Sequence, residues 1–516
     1  MAAPDAGGTG CTPVTIDQAQ AQSRYWSLIP FAIAAIIVLL AVALRLRGIS
    51  LESLDGDEAF SYRVASSDLT TAFSMVRNDL VHPPLYYFLL HMWLSLTAHP
   101  SPLVLRVVSL SAGFATVGLI ACIGWLFERF RAAAFIAACL LATNNLHIFY
   151  SQQIRSYSFY TLLFACLLVW SWQIFRYAEK TAFWCAGAIL MSLLVYTHYV
   201  GALYVTCIIV AVILSPAARR AKRLILVSGF IAACSFIPWI LAEIAPSRAH
   251  HGTQDNLSWE SAPNLYDLKA IWAAYLGMLN FHAATTIVVT LGFALAAFSL
   301  FYGYSERNSL SRLVLTTLAL TAFIPPSLLF LLSLKPVSLP IFGERHLLPS
   351  IVSYLLLVAD GLIQLANNFR VRTAVLVPGV TLLLIFELVP TVTATSAGPR
   401  RMPFQAIVSA TQGSIPLYTT WPYGIGAVMN VYEHDRNAVL GVPSDVNRLP
   451  DKFILIFRPG IPKEERKFEN LLKSRWQAAG NRDFYNGLHG GYYVRVAKLQ
   501  RVPPMQNSGL ESYPGS

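Results

Sequence analysis

The sequence predicts an all-α polytopic membrane protein, with about 11 to 13 transmembrane helices of roughly 20 apolar residues each, followed by a small α/β domain outside the membrane. Three observations carry that expectation. The 516 residues are 55% hydrophobic and only 13% charged, with a mean hydropathy of +0.53. A soluble domain carries roughly a quarter charged residues. The net charge of +11 is confined largely to short basic clusters between apolar runs, such as Ala218 to Arg223 and Asn367 to Arg372. Clusters of that kind mark cytoplasmic loops; a nucleic-acid surface would instead need a continuous basic face. Finally, the composition changes after residue 392, where the long apolar runs end.

The expected spans are 26–45, 82–98, 103–126, 132–150, 157–175, 182–198, 199–215, 223–243, 282–303, 311–333, 347–366 and 373–391. The first is long enough to span and stay, unlike a cleavable signal sequence. The basic loops at 219–223, 305–312 and 367–372 are expected in the cytoplasm. Residues 51–81, 244–281, 334–346 and everything after about 392 are then expected outside. Counting from the two ends of the chain gives answers that differ by one crossing between residues 82 and 181. One apolar segment there is either re-entrant or not a span.

The domain plan is therefore a cytoplasmic tail (1–25), a membrane domain (26–392) with an outer loop at 51–81, an outer α/β domain (400–499) and a disordered tail (500–516). In the outer domain, Lys452 to Phe457 and Gly491 to Leu499 read as strands, and Lys463 to Trp476 as an amphipathic helix with Phe468, Leu471, Leu472 and Trp476 on one face. Six cysteines lie in or beside apolar runs, Cys11 lies in the tail, and no CxxC pair occurs. These read as small buried side chains.

Polar residues beside apolar runs are the candidates for chemistry. The stretch LDGDEAF places Asp55, Asp57 and Glu58 just after the first span. Leu69, Ala72, Phe73, Val76 and Leu80 then recur at helical spacing, which predicts a helix lying flat on the membrane surface, capped by Ser67 or Asp68. The acids thus sit where a spanning helix hands over to an interfacial one. The plainer reading is a solvated acidic connector, and contiguity beside a bilayer-anchored helix weighs against it. His82-Pro83-Pro84 opens the next run; the prolines suit a helix start, which leaves His82 and Asp79 unexplained. Arg155 and Tyr157, His198, Lys335, and Arg345 with His346 stand at further span ends. Any one of the basic residues could be an interfacial anchor; together they describe a site holding both acids and bases. His198 alone makes no metal site.

The combination DGDEAFS…NDLVHPPLYY resembles the GT-C superfamily of polyprenyl-phosphate-sugar-dependent glycosyltransferases, in its bacterial branch of protein O-mannosyltransferase-like and aminoarabinose transferase-like enzymes. Asp57-Glu58 matches that family's Asp-Glu pair after the first span, and His82-Pro83-Pro84-Leu85-Tyr86 its His-Pro-Pro-Leu-Tyr segment. SQQIRSYS resembles the family's Ser-Arg-Tyr segment and ERHLLPS a late Arg-Tyr/His-Leu-x-Pro segment, and the likeness covers about residues 25 to 370. It implies a multi-pass enzyme of the cell inner membrane, with its site and C-terminal domain extracytoplasmic. Such an enzyme moves a hexose or pentose from a polyprenyl-phosphate donor, drawn from the membrane lipid, to a hydroxyl acceptor with inversion. It implies Asp57 and Glu58 as catalytic carboxylates. Asp55, Asp79, His82, Arg155, Tyr157, His198, Lys335, Arg345 and His346 would bind substrate. Some members of that family use a divalent metal and others do not, so the resemblance leaves a divalent cation, Mg²⁺ or Mn²⁺, open, with Asp57 and Glu58 as its ligands if there is one. The competing class is a multi-pass transporter or flippase of envelope precursors. Transporters show paired inverted halves, and no such repeat is evident here.

Overall fold

The computed structural model describes residues 16–49, 53–97, 101–249, 262–278, 283–305, 308–335 and 341–368. Of the remainder it describes 404–411, 415–420, 428–429, 439–443, 445–458, 462–473, 476–485 and 493–501, with isolated positions between. Of the expected span 373–391 it describes residues 374, 377–382, 384 and 385; the rest of that span, the tail 502–516 and most of the N-terminal tail lie outside the described residues.

The membrane part is a bundle built from α1 (Ile16–Leu46), α2 (Gly56–Ser66), α3 (Leu69–Asp79), α4 (Leu85–Ser95), α5 (Pro102–Leu126), α6 (Arg131–Thr143), α7 (Asn145–Ser151), α8 (Tyr157–Trp172), α9 (Ile174–Tyr177), α10 (Thr181–Thr197), α11 (Gly201–Leu214), α12 (Arg219–Ala249), α13 (Leu265–Tyr275), α14 (Ala283–Ser305), α15 (Ser309–Ser333) and α16 (Leu348–Asn368). Six of these helices are long and apolar enough to cross a membrane. α6 and α7 form one pair bent by 62°, and three shorter apolar helices (α8, α10, α11) complete the set. Large apolar side chains such as Phe230 (69% exposed) and Phe301 (74%) cover the outside. Buried serines, threonines, histidines and arginines lie within, the arrangement lipid imposes.

Hydrogen bonds between loops fix which end of the bundle each helix reaches. Arg106, in the second turn of α5, meets Glu58 of α2. Arg155 meets His82, and His198 meets His346, so all these loops share one end. At the other end Arg220 pairs with Glu179, Tyr304 hydrogen-bonds Thr316, and Asn368 donates to Tyr302. α4 therefore both starts and finishes at the first end, since His82 precedes it and the Trp93 Nε1–H of α4 donates to Val104 O in the opening turn of α5 (2.8 Å). Its 11 residues rise about 16 Å, half of a bilayer's hydrocarbon core. The expected span 82–98 is thus not a crossing. Removing it reconciles the two counts and leaves, among the described residues, six long spans, a seventh when the bent pair counts as one, and the three shorter apolar helices α8, α10 and α11.

The bend between α6 and α7 frees carbonyls that lipid could not satisfy. Arg45, fully buried at the end of α1, fills the gap: its Nη1 and Nη2 donate to Ala142 O (3.0 Å) and Leu141 O (3.2 Å). Asn144 caps α7 by accepting the His147 N–H, and donates to Ala274 O and Tyr275 O at the end of α13.

Beyond the bundle lie α17 (Phe404–Ala410) and α18 (Pro462–Lys473). With them is a five-stranded sheet of order β2-β1-β3-β5-β4, formed by β1 (Leu417–Thr419), β2 (Leu440–Gly441), β3 (Lys452–Phe457), β4 (Trp476–Tyr485) and β5 (Tyr493–Arg501). β2, β1 and β3 run parallel, while β5 is antiparallel to β3 and to β4. The helix ends three residues earlier than its apolar stripe suggested. Trp476 starts β4, where its ring meets Phe453 edge-on, while Phe468 stacks on Phe457.

Candidate active site

α2 opens the site. Asp55 is its N-cap and forms a reciprocal capping box with Glu58: the Glu58 N–H donates to Asp55 Oδ1 (2.8 Å) and the Asp55 N–H to Glu58 Oε2 (3.1 Å). This pattern satisfies two of the orphan donors at a helix start. Asp57, one residue before Glu58, points the other way and is 59% exposed, while Glu58 is fully buried. Two adjacent acids therefore have opposite environments because they are about 100° apart on one helix.

Glu58 is saturated. The Arg106 Nε and Nη2 donate to its two oxygens at 3.1 and 3.0 Å, and the Ile154 N–H donates to Oε1 at 2.9 Å. Arg106 also holds Ile49 O (2.8 Å) and Ser53 O (3.1 Å). Glu58 thus fastens α2 to α5 and to the segment that ends in Arg155, which leaves it no lone pair aimed at a substrate.

Arg155 is the centre of the cluster. It is 6% exposed, and its Nη1 reaches Asp57 O, Ser61 Oγ and Tyr87 Oη, all at 3.4 Å. Its Nη2 lies 3.9 Å from Asp57 Oδ2 and within 3.3 Å of the His82 ring nitrogens. Its Nε has no hydrogen-bond partner among the described residues. The Arg155 guanidinium beside Asp57 holds that carboxyl below the usual range, and the more distant Arg345 adds to the effect. Asp79 differs: burial pushes it up to about 6. It closes α3, 3.8 Å from His82 Nδ1. Between them Leu80 adopts a left-handed conformation (φ 59°), which costs a non-glycine residue about 1 kcal/mol.

His82, Tyr157, His198 and His346 form one aromatic wall. Tyr157 Oη lies 3.4 Å from His82 Nε2, the His82 and His198 rings are 5.6 Å apart, and His198 Nε2 meets His346 Nδ1 at 3.0 Å. Arg345 joins it through His346. The fold so gathers Asp57, Asp79, His82, Arg155, Tyr157, His198, Arg345 and His346 at one end of the bundle. Asp55 supports α2 from its cap, and Lys335 is exposed after α15 and enters none of the hydrogen bonds described here. Arg106, Ser61 and Tyr87 were not anticipated. An arginine inside the apolar run of α5 was the available signal for the first, since intramembrane charge is costly.

The described residues do not make a cation site. No three His, Cys, Asp or Glu side chains among them are arranged around a metal. Glu58 is spent on Arg106, and Asp57 faces a guanidinium.

A multi-pass bundle with a re-entrant segment, an Asp/Arg/His cluster at one end and a small appended sheet is a membrane protein of the GT-C fold. No family model matches the sequence, and a search of curated proteins finds no match. Among solved structures, ArnT from Cupriavidus metallidurans in the apo state matches with a TM-score of 0.56 at 12% identity, over 92% of this chain and 98% of its own. The same protein bound to undecaprenyl phosphate matches equally. Archaeal oligosaccharyltransferase AglB from Archaeoglobus fulgidus, in complex with an inhibitory peptide and a dolichol-phosphate, matches with a TM-score of 0.50 at 13% identity, over 81% of this chain and 64% of its own. The resemblance read from the motifs thus holds at the level of fold.

Proposed function

We propose that this protein is an inverting glycosyltransferase that moves a sugar from a polyprenyl-phosphate donor to a hydroxyl on a protein, lipid or glycan, at the outer face of the cytoplasmic membrane. The observation that carries the reading is the Asp57–Arg155 pair, an open carboxylate 3.9 Å from a buried guanidinium that keeps one N–H unused. The fold shared with a protein solved with undecaprenyl phosphate and another solved with a dolichol-phosphate supports it.

The chemistry follows from charge. Arg155 and Arg345 neutralise the phosphate of the donor, which makes it a better leaving group. Asp57 accepts the proton of the acceptor hydroxyl. The acceptor oxygen bonds to the anomeric carbon as the bond from that carbon to the phosphate oxygen breaks, and the lipid phosphate leaves with the electron pair. One displacement inverts the anomeric centre. With its pKa held down by the Arg155 charge, Asp57 stays ionised and ready, while Asp79 becomes neutral as pH falls through about 6. Turnover of purified protein on polyprenyl-phosphate sugars in nanodiscs, read as release of polyprenyl phosphate, tests the activity.

Orientation follows from the basic loops at the end opposite the site. If the six long spans, the bent pair and the three shorter apolar helices all cross, and the expected span 373–391 crosses as well, the C-terminal sheet lies on the site's side. A periplasm-active reporter fused after Lys498 is expected to be active, and one fused after Arg223 inactive. The reverse pattern would put the site in the cytoplasm and end this reading.

Arg345→Ala is expected to raise the KM for donor severely, with Arg345→Lys retaining part of the activity, because lysine keeps the charge and loses the fork. Full activity in the alanine variant would leave Arg345 as an interfacial anchor.

A further inference from the structure

α8 starts beside His82 and Arg155 with its cap undone. Ser156 is the N-cap, and a serine hydroxyl at that position usually accepts one of the first-turn N–H groups. The usual bond needs extended backbone at the cap. Ser156 is helical instead (φ −65°, ψ −14°), and its side chain makes no cap bond. Both halves of the missing bond stay open among the described residues. Ser156 Oγ, in a side chain 4% exposed, has no hydrogen-bond partner. The first-turn N–H groups, Tyr157 to Phe159, lack the side chain that would receive one of them, at the end of α8 that carries partial positive charge.

The residue before the cap repeats the pattern. Arg155 Nε–H is buried without a partner, while Nη1 and Nη2 are engaged. The backbone is not free to swing round and repair the cap, because it is pinned on both sides of Arg155. The Ile154 N–H donates to Glu58 Oε1 (2.9 Å), Arg155 O accepts from Ser109 Oγ (3.0 Å), and Ser156 O accepts the Tyr160 N–H (2.8 Å). The nearby Ser158 gives its own hydroxyl to Ser151 Oγ (3.3 Å). Buried polar groups without partners are costly and rare. Here a hydroxyl, a guanidinium N–H and a helix N-terminus lack the same thing, an acceptor with several lone pairs. An oxyanion is the group that supplies it.

Ser156 Oγ and Arg155 Nε are screened from water in the free protein, so a ligand enters by moving a side chain. Arg155 is the one held loosely. None of its Nη hydrogen bonds is shorter than 3.2 Å, against about 2.9–3.0 Å for an ordinary N–H donor.

We propose that Ser156 Oγ, Arg155 Nε and the first turn of α8 together seat the oxygens of a phosphate ester, so that Ser156 is a ligand of the phosphate and not a cap of its own helix. The inference rests on the reading of Arg155 as part of the donor phosphate site. It adds the hydroxyl and the helix end on which that phosphate is seated.

The test is Ser156→Ala in the full-length protein in nanodiscs. The hydroxyl holds nothing in the free protein, so the variant is expected to unfold at the wild-type temperature or above it. Its Kd for undecaprenyl phosphate is expected to rise by about 10-fold or more, the worth of a hydrogen bond to a charged group. Inorganic phosphate is the second probe. A loss with both probes supports a seat that reads phosphate oxygens from either source; a loss with the lipid only supports a phosphate delivered from the bilayer. Unchanged binding in Ser156→Ala, beside weakened binding in Arg155→Gln or Arg345→Ala, would overturn the inference and leave the phosphate site standing. A lowered unfolding temperature in Ser156→Ala would show a hydroxyl already satisfied by buried water, and would overturn it too. Unchanged binding in all three variants would remove the phosphate site and this inference with it.

Discussion

Asp57→Asn is expected to yield a folded membrane protein whose turnover falls by a factor of about 10²–10⁴, the usual worth of a positioned general base. Asparagine preserves the size of the side chain and can still accept a hydrogen bond from Arg155, but it cannot take the acceptor's proton. Asp57 is 59% exposed and outside the Glu58 network, so the substitution leaves the Glu58–Arg106 pair intact; Arg155 loses one counter-charge but keeps its contacts to Ser61, Tyr87 and His82. Wild-type assays with EDTA and with excess Mn²⁺ separate this from loss of a metal ligand: EDTA-insensitive turnover beside an inactive Asp57→Asn protein assigns the loss to the base. A purified variant working at the wild-type rate would return the acidic segment to the status of a solvated connector.

Glu58→Leu is expected to fail differently. It strips Arg106 of its counter-ion inside the bundle, and breaking a buried pair from one side costs about 3–5 kcal/mol. It also leaves the Ile154 N–H and the Asp55 N–H without their acceptor. The expected result is a large drop in thermal unfolding temperature and in yield, with Arg106→Leu showing a similar loss. A Glu58→Leu protein that unfolds like the wild type yet has no turnover would give Glu58 a place in the chemistry. The contrast with Asp57 is the sharpest consequence of the fold: neighbouring acids in one motif, one exposed beside Arg155 and one buried in the network that holds the Arg155 segment in place.

The sequence made Asp57, His82, Arg155 and Arg345 legible because polar residues at the ends of apolar runs are expensive and therefore visible. It also indicated the interfacial helix, which appears as Leu69–Asp79 with Asp68 as its cap. What it hid is geometric. α4 is apolar enough to read as a span, and only the return of the chain to Glu58 through Arg106 shows that it does not cross. The difference between Asp57 and Glu58 depends on which side of α2 meets Arg106, 48 residues away. The facing of His198 and His346 spans 148 residues and has no local signature. Trp476 was taken for a helix residue because its spacing matched, whereas pairing with Arg501 places it on a strand.

The central claim is that the Asp57–Arg155 end of the bundle consumes a polyprenyl-phosphate sugar. Mass spectrometry of membrane lipids and envelope glycans from cells lacking the gene tests it most directly. The account predicts that one polyprenyl-phosphate sugar accumulates and one envelope sugar is lost. The wild-type gene should restore both, and Asp57→Asn neither. Unchanged lipid-linked sugars together with an unchanged set of envelope glycans would contradict it.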